Sequence, residues 1–241
     1  ECVAYSNDNG RNFTLYEGNP IIKHKGRDPK VIWYAYDEDD TPLNEEAKQL
    51  GGHWVLFVYN EEPGLKQNTA FYTSLNLKDW ALQSRLYGFF ECPELFELPV
   101  DGDEDETRWV TFAADAKYVL GDFDGREFTP DHEGKYQVHH GAYYASQTFE
   151  NSPDGRRLQI GWAQLAMPSM PFNQGFSFPH ELTLRKTAKG VRMFAEPIDE
   201  ISMLRDKKHV ADAQLVTPDK PVDLQVSGET FEIRATFEVG A

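Results

Sequence analysis

Short runs of aromatic and β-branched residues, broken about every 8 to 12 residues by Asp, Asn, Gly and Pro, constrain this chain more than any other feature. A long amphipathic helix would need apolar positions three and four apart over several turns, and no stretch supplies them. The pattern predicts an all-β fold, with strands over residues 2–6, 13–17, 30–36, 53–60, 69–74, 94–98, 108–114, 143–149, 157–163, 181–186 and 191–195. A chain of 241 residues can bury a substantial core in one large β-domain or in a domain and a half.

Sandwich, barrel and propeller share this alternation, and a weak internal repeat selects among them. Tyr5 and Phe13, Tyr72 and Trp80, and Leu120 and Phe128 each stand eight residues apart around a polar turn. Each pair is expected to mark the outer hairpin of a four-stranded blade. The starts at 5, 72 and 120 are separated by 67 and 48 residues, and blades of about 40 to 50 residues with insertions suit a propeller.

A second repeat carries the chemistry. Arg27-Asp28-Pro29-Lys30-Val31-Ile32 and Glu91-Cys92-Pro93-Glu94-Leu95-Phe96 each set a carboxylate one or two residues ahead of a proline that opens a strand. Proline is tolerated at a strand's first position and biases the residue before it toward extended backbone. If these are the innermost strands of two blades, Asp28 and Glu91 project toward the same end of the channel. Hydrolysis of a glycosidic bond needs such a pair, one carboxyl to protonate the leaving oxygen and another that stays anionic. Glu91 is the better acid, because Tyr87, Phe89, Phe90, Cys92 and Pro93 around it favour the protonated form. Asp28, with Arg27 beside it, is the expected anion. Trp162 and Tyr144 are candidates for stacking on a sugar ring.

Other features exclude function classes. With 24 Lys plus Arg against 40 Asp plus Glu, the net charge of -16 repels phosphate backbones and anionic membrane surfaces, so nucleic acid is not an expected partner. No apolar run approaches the roughly 18 residues of a membrane span. Cys2 and Cys92 cannot form a disulfide framework and lack metal-ligand spacing. His139 and His140 would point to opposite faces of a strand, and the acidic run from Asp101 to Glu106 reads as a solvated hairpin loop, so neither is taken as a metal site. From about Met203 the texture changes, with strand patterns at 222–226 and 231–237. The expected organisation is a partial propeller over residues 1–203 and the beginning of a C-terminal β-sandwich over 204–241, in a chain that starts within a strand and is truncated at both ends.

The motif Glu91-Cys92-Pro93 resembles the acid/base motif of glycoside hydrolase family 32, and Arg27-Asp28-Pro29 resembles that family's Arg-Asp-Pro motif. Tyr144-Ala145-Ser146-Gln147-Thr148-Phe149, Leu158-Gln159-Ile160-Gly161-Trp162 and the stretch from Phe178-Pro179 to Arg185 follow in the family's order. The resemblance covers about residues 1 to 205. It implies a five-bladed β-propeller and a retaining hydrolase that releases terminal β-fructose from fructans such as levan or inulin, or from sucrose. It makes Glu91 the general acid/base and Asp28 a stabiliser of the transition state. It places Arg27, Cys92 and Trp162 around the fructose, and with the stacking candidate Tyr144 these are the expected sugar-binding residues. No metal or organic cofactor is implied, and a secreted or periplasmic location is expected.

Two departures matter. The family's nucleophile belongs to an Asn-Asp-Pro-Asn-Gly motif, and Asn7-Asp8-Asn9-Gly10 lacks the proline, so Asp8 is not assigned that role and this polypeptide alone is expected to be inactive. Sucrose-cleaving plant members often carry Asp-Tyr-Gly-Lys where this chain has His139-His140-Gly141-Ala142, which tilts the reading toward fructan exohydrolysis. The rival reading is a non-catalytic carbohydrate-binding propeller. A propeller glycosidase for arabinose or mannose sugars ranks last, because it would need another acid motif.

Overall fold

The computed structural model describes residues 1–217, 219–228 and 230–238, in two compact units, Glu1–Ile198 and Asp199–Ala241. The first unit is almost entirely β-structure. Strands β1 (Ala4–Tyr5) and β2 (Thr14–Leu15) pair as a small antiparallel hairpin. A four-stranded sheet follows, in the order β3 (Gly26–Ala35), β4 (Gly52–Asn60), β5 (Asn68–Ser74) and β6 (Ala81–Tyr87). The next sheet runs β7 (Glu94–Val100), β8 (Asp103–Phe112), β9 (Lys117–Phe123) and β10 (Phe128–Pro130), with β11 (Tyr136–Gln137) also on β9. The third contains β12 (Tyr143–Phe149), β13 (Arg157–Ala163), β15 (His180–Thr187) and β16 (Gly190–Pro197), with β14 (Gly175–Phe176) on β13. One parallel pairing, Leu184 with Val100, joins the second and third sheets into a curled whole.

These are the blades of a propeller, and the sequence pattern shows why they stack. Alternate residues of a strand face opposite sides of its sheet. On β4, Val55 and Phe57 enter a core with Leu95, Val119 and Phe123 of the second blade, while Leu56 and Val58 enter another with Ile22 and Tyr72. On β7, Leu95 joins the first of these cores, whereas Phe96, Leu98 and Val100 pack with Leu182, Leu184 and Met193 of the third blade. Two of these hydrophobic layers are thus seams between neighbouring blades, and the third covers the outer face of the first blade with Ile21 and Ile22. All three eight-residue repeats are hairpins, β1–β2, β5–β6 and β9–β10.

Four features differ from the sequence expectation. Helix α1 (Glu45–Leu50) was not anticipated; Asn44 caps it by accepting from the Ala47 N–H at 2.9 Å, and Gly51 ends it at φ 72°. The acidic run is a turn followed by strand: Asp101 and Gly102 have φ 55° and 77°, the pair of positive values a tight primed hairpin requires, and β8 begins at Asp103. His139 and His140 lie between β11 and β12, not on a strand. In the second unit, Asp199–Leu204 forms a 3₁₀ helix and Thr217 bridges Lys220. Residues 222–226 and 231–237, where strands were expected, carry no ladder pairing among the described residues.

The three inner strands are pinned by one buried carboxylate. Glu94 of β7 has no exposed surface; Lys30 of β3 meets its Oε2 at 2.5 Å, and Thr148 of β12 donates its N–H to Oε1 at 3.1 Å and its hydroxyl to Oε2 at 2.9 Å. Burial pushes the Glu94 carboxyl upward, and Lys30 and Thr148 pull against it. Breaking a buried pair by removing one partner costs about 3–5 kcal/mol, because the remaining charge is stranded. Lys30→Met is therefore expected to destabilise the fold by about that amount, and Lys30→Met with Glu94→Leu to recover most of it. Urea denaturation checks this, and a double variant no more stable than Lys30→Met alone would refute the stranded-charge explanation.

Candidate active site

The three inner strands break their ladders at the same place. On β3, Arg27 pairs with Tyr59 and Lys30 with Phe57, so three steps along one strand face two along the other. On β12, Tyr144 pairs with Trp162 and Gln147 with Ile160, the same mismatch. Before β7, the Ala114 N–H donates to the Glu91 carbonyl at 3.1 Å, while Glu94 pairs with Phe112. Each irregularity is a one-residue bulge, which re-aims the neighbouring side chains. Its second residue is left-handed in all three strands: Asp28 at φ 62°, Cys92 at 44° and Ala145 at 48°. This overturns the expectation that the residues before Pro29 and Pro93 are extended. Bulge geometry outweighs the local bias of proline here.

The first residue of each bulge, Arg27, Glu91 and Tyr144, is thereby turned toward the others. Arg27 donates to Glu91 Oε1 from Nε at 2.9 Å and from Nη2 at 2.7 Å. Tyr144 donates its hydroxyl to Glu91 Oε2 at 2.5 Å. Asp28 Oδ2 accepts the Cys92 N–H at 3.0 Å and lies 3.7 Å from its thiol. The Arg27 guanidinium lies 4.9 Å from the centroid of Tyr59 and 5.9 Å from that of Phe90, contacts a cation makes with aromatic faces. Trp162 sets its ring edge-on to Tyr144, with centroids 6.2 Å apart. Arg27, Asp28, Glu91, Cys92, Tyr144 and Trp162 thus form one connected group.

Electrostatics differ from the sequence reading. Arg27 does not pair with its neighbour Asp28; it crosses to the next blade and pairs with Glu91. The Tyr144 hydroxyl, then the Arg27 fork, holds the Glu91 carboxyl below the usual carboxylate range, against burial, which pushes it up. The apolar neighbours in sequence, which were expected to keep Glu91 protonated, are outweighed by these donors. Burial first, then Asp28 and Glu91, pushes the Cys92 thiol up to about 12, so it remains a neutral S–H. Burial and the Glu91 charge also push the Tyr144 phenol upward.

Asp8 is engaged elsewhere. Its carboxylate accepts from the N–H groups of Asn12 at 2.9 Å and Arg11 at 3.1 Å and from the Ser6 hydroxyl at 2.7 Å, and the backbone donor of Asn12 leads in lowering it to about 2. It organises the β1–β2 turn. His139 stacks on Tyr143 at 3.9 Å and shares a hydrogen bond of 2.8 Å with Gln159. A groove of about 630 Å³ is lined by Leu43, Asn44, Asn76, Gln83 and Arg126 among others and includes none of the six candidate residues. Sequence reasoning missed Glu61, which takes the free edge of Arg27 at 3.1 Å; it stands one residue past β4 beside Glu62, and no local signal marks it.

Three blades thus bring carboxylates, an arginine and aromatic rings together at the start of β3, ahead of β7 and at the start of β12, which defines a propeller with one polar cluster shared between blades. Residues 1–197 match the model of the glycosyl hydrolases family 32 N-terminal domain, and the chain belongs to that family. It is 32% identical to a levanase of Bacillus subtilis over 99% of this chain and 37% of that protein. An extracellular exo-inulinase of Meyerozyma guilliermondii is 35% identical over 67% of this chain and 32% of its own length. The structure of fructofuranosidase from Schwanniomyces occidentalis complexed with fructose superposes with a TM-score of 0.65 at 30% identity, covering 81% of this chain and 40% of that one. The chain therefore spans about two-fifths or less of these relatives.

The Tyr144–Glu91 contact makes a direct prediction. Tyr144→Phe removes the leading donor to the carboxylate, so the Glu91 titration midpoint, followed by carboxyl ¹³C NMR, is expected to rise. The sign also fixes a stability effect. A carboxyl depressed in the folded state stabilises the fold above its unfolded pKa, and that contribution is lost as acid protonates it. Tyr144→Phe should therefore flatten the acid side of the stability profile; a midpoint that stays put would remove Tyr144 from this role.

Proposed function

We propose that this chain supplies the acid/base part of the active site of a retaining exo-β-fructosidase. The observation that carries the reading is the joining of Arg27, Glu91 and Tyr144 from three blades, with Asp28 docked on the backbone of Cys92 beside them. In the retaining reaction Glu91, as the acid, gives its proton to the departing glycosidic oxygen while a separate carboxylate takes the sugar carbon; Glu91 then removes a proton from the water that releases fructose. Asp28 accepts both its bonds on Oδ2, which leaves Oδ1 for a sugar hydroxyl as positive charge develops on the ring. Arg27, Tyr144 and Trp162 supply a cation, a hydroxyl and a ring face to orient the sugar.

The relatives' names support fructan as the substrate class, levan or inulin ahead of sucrose, and the word extracellular in one of them supports secretion. Residues 204–241 are read as the start of a second β-domain. The 241 residues contain no Asn-Asp-Pro-Asn-Gly motif. This favours an inactive polypeptide when it is tested alone, and the same observation keeps a sugar-binding propeller without catalysis as the second reading.

Two measurements test these points. The purified chain is expected to release no fructose from levan, inulin or sucrose; fructose produced in proportion to protein concentration would show that a nucleophile lies within it. In a protein that joins these residues to the family's nucleophile segment, Glu91→Gln should slow cleavage of natural fructans by about 10²–10⁴, but slow an aryl β-fructoside much less, since a good leaving group departs without a proton. Asp28→Asn should slow both comparably. Equal losses on both substrates for Glu91→Gln would refute its role as the leaving-group acid, and an inactive parent would favour the binding protein.

A further inference from the structure

Arg27 is a fork with both edges occupied. Nε and Nη2 hold Glu91, whereas Nη1 donates to Glu61 Oε1 at 3.1 Å. Glu61 is itself held: its N–H donates to the Lys25 carbonyl at 2.8 Å, and Tyr59 donates its hydroxyl to Oε2 at 3.3 Å. Tyr59 is also a ring on which the guanidinium rests, so ring, carboxylate and cation form a closed local frame. The Glu61 side chain remains 36% exposed and that of Glu91 21%, which places Glu61 on the solvent side of the same arginine.

Glu61 draws the guanidinium by its Nη1 edge and Glu91 draws it by Nε and Nη2, so the position of the cation is shared between the two carboxylates. Arg27 alone, together with the Tyr144 hydroxyl, pulls the Glu91 carboxyl toward permanent ionisation, and a proton donor needs the opposite. A second anion on the far edge of the guanidinium answers part of its charge and fixes its plane. The other groups around Glu91 are the Tyr144 hydroxyl, the neutral Cys92 thiol with Asp28 behind it, and Asp115, whose charge reaches Tyr144. Among the described residues the carboxylates that pair with the Arg27 guanidinium are Glu91 and Glu61, so Glu61 is the group placed to act through it.

We propose that Glu61 is a positioning residue for the acid/base group: it clamps Arg27 against Tyr59 and holds part of the arginine's charge away from Glu91. This rests on the reading of Glu91 as the proton donor, but its electrostatic content can be measured without any reaction. Glu61→Gln keeps an acceptor for Nη1 and removes the charge. In this chain at low salt, the Glu91 midpoint in Glu61→Gln is expected to fall relative to the parent. The difference should narrow in high salt, because Glu61 is partly exposed.

Arg27→Gln supplies the second arm. It should raise the Glu91 midpoint, and Glu61→Gln should have no further effect when added to it. A midpoint unchanged by Glu61→Gln would overturn the proposal. So would an equal fall with and without Arg27, which would mean direct action through space. If the titrations come out as expected and the chain joined to a nucleophile segment hydrolyses no fructoside, the role of Glu61 stands and the catalytic reading fails.

Discussion

A carboxylate sealed from water must have its charge answered within the protein, and Glu94 obliges three blades to answer together. Lys30 comes from the first inner strand and Thr148 from the third, while Glu94 sits on the second. Such a pair is weak evidence for net stability, since desolvation consumes much of the attraction. Its effect is on arrangement. A slip of one residue in β3 would turn Lys30 to the other face and leave Glu94 charged and alone. The candidate site lies just upstream of these pins, Arg27 three residues before Lys30, Glu91 three before Glu94 and Tyr144 four before Thr148, so whatever fixes the pins also fixes the site.

Above the pins, equivalent backbone positions carry unlike groups. Arg27 to Glu91, Asp28 to Cys92 and Lys30 to Glu94 are each separated by 64 residues, and each pair is in contact. One bulge repeated around the axis would give a symmetric ring if its residues were alike. Here the first bulge positions hold a cation, an anion and a phenol, so repetition of geometry becomes complementarity of charge. The left-handed residues that aim them, Asp28, Cys92 and Ala145, each carry strain of about 1–3 kcal/mol. None is glycine, and the contacts between blades hold them there.

Much of this was legible in the sequence. Alternation gave the strands, the eight-residue spacing gave the hairpins, and the matched proline motifs led to Asp28 and Glu91. What escaped was everything that depends on where a bulge aims a side chain. Arg27 and Asp28 are covalent neighbours, and an ion pair between them was the natural reading; in the folded chain they serve different partners on the next blade. Glu61 stands in a polar loop, and nothing local distinguishes it from Glu62. The ends of β3, β7 and β12 were also blurred, because an inserted residue breaks the alternation on which strand reading depends.

The same geometry bears on how Glu91 could act. With Tyr144 on one oxygen and Arg27 on the other, the carboxyl favours its charged form. If Glu91 is the proton donor, arrival of the sugar must change that balance. A bound ring would displace water from a side chain only 21% exposed, and desolvation raises a carboxyl's pKa. A leaving oxygen close enough to receive a proton would also compete with Tyr144 for Glu91 Oε2. Both changes need the substrate in place, so the acid strengthens its hold on a proton only where a bond is positioned to receive it. Binding and proton donation would then be coupled through the contacts that Arg27 and Tyr144 make with Glu91.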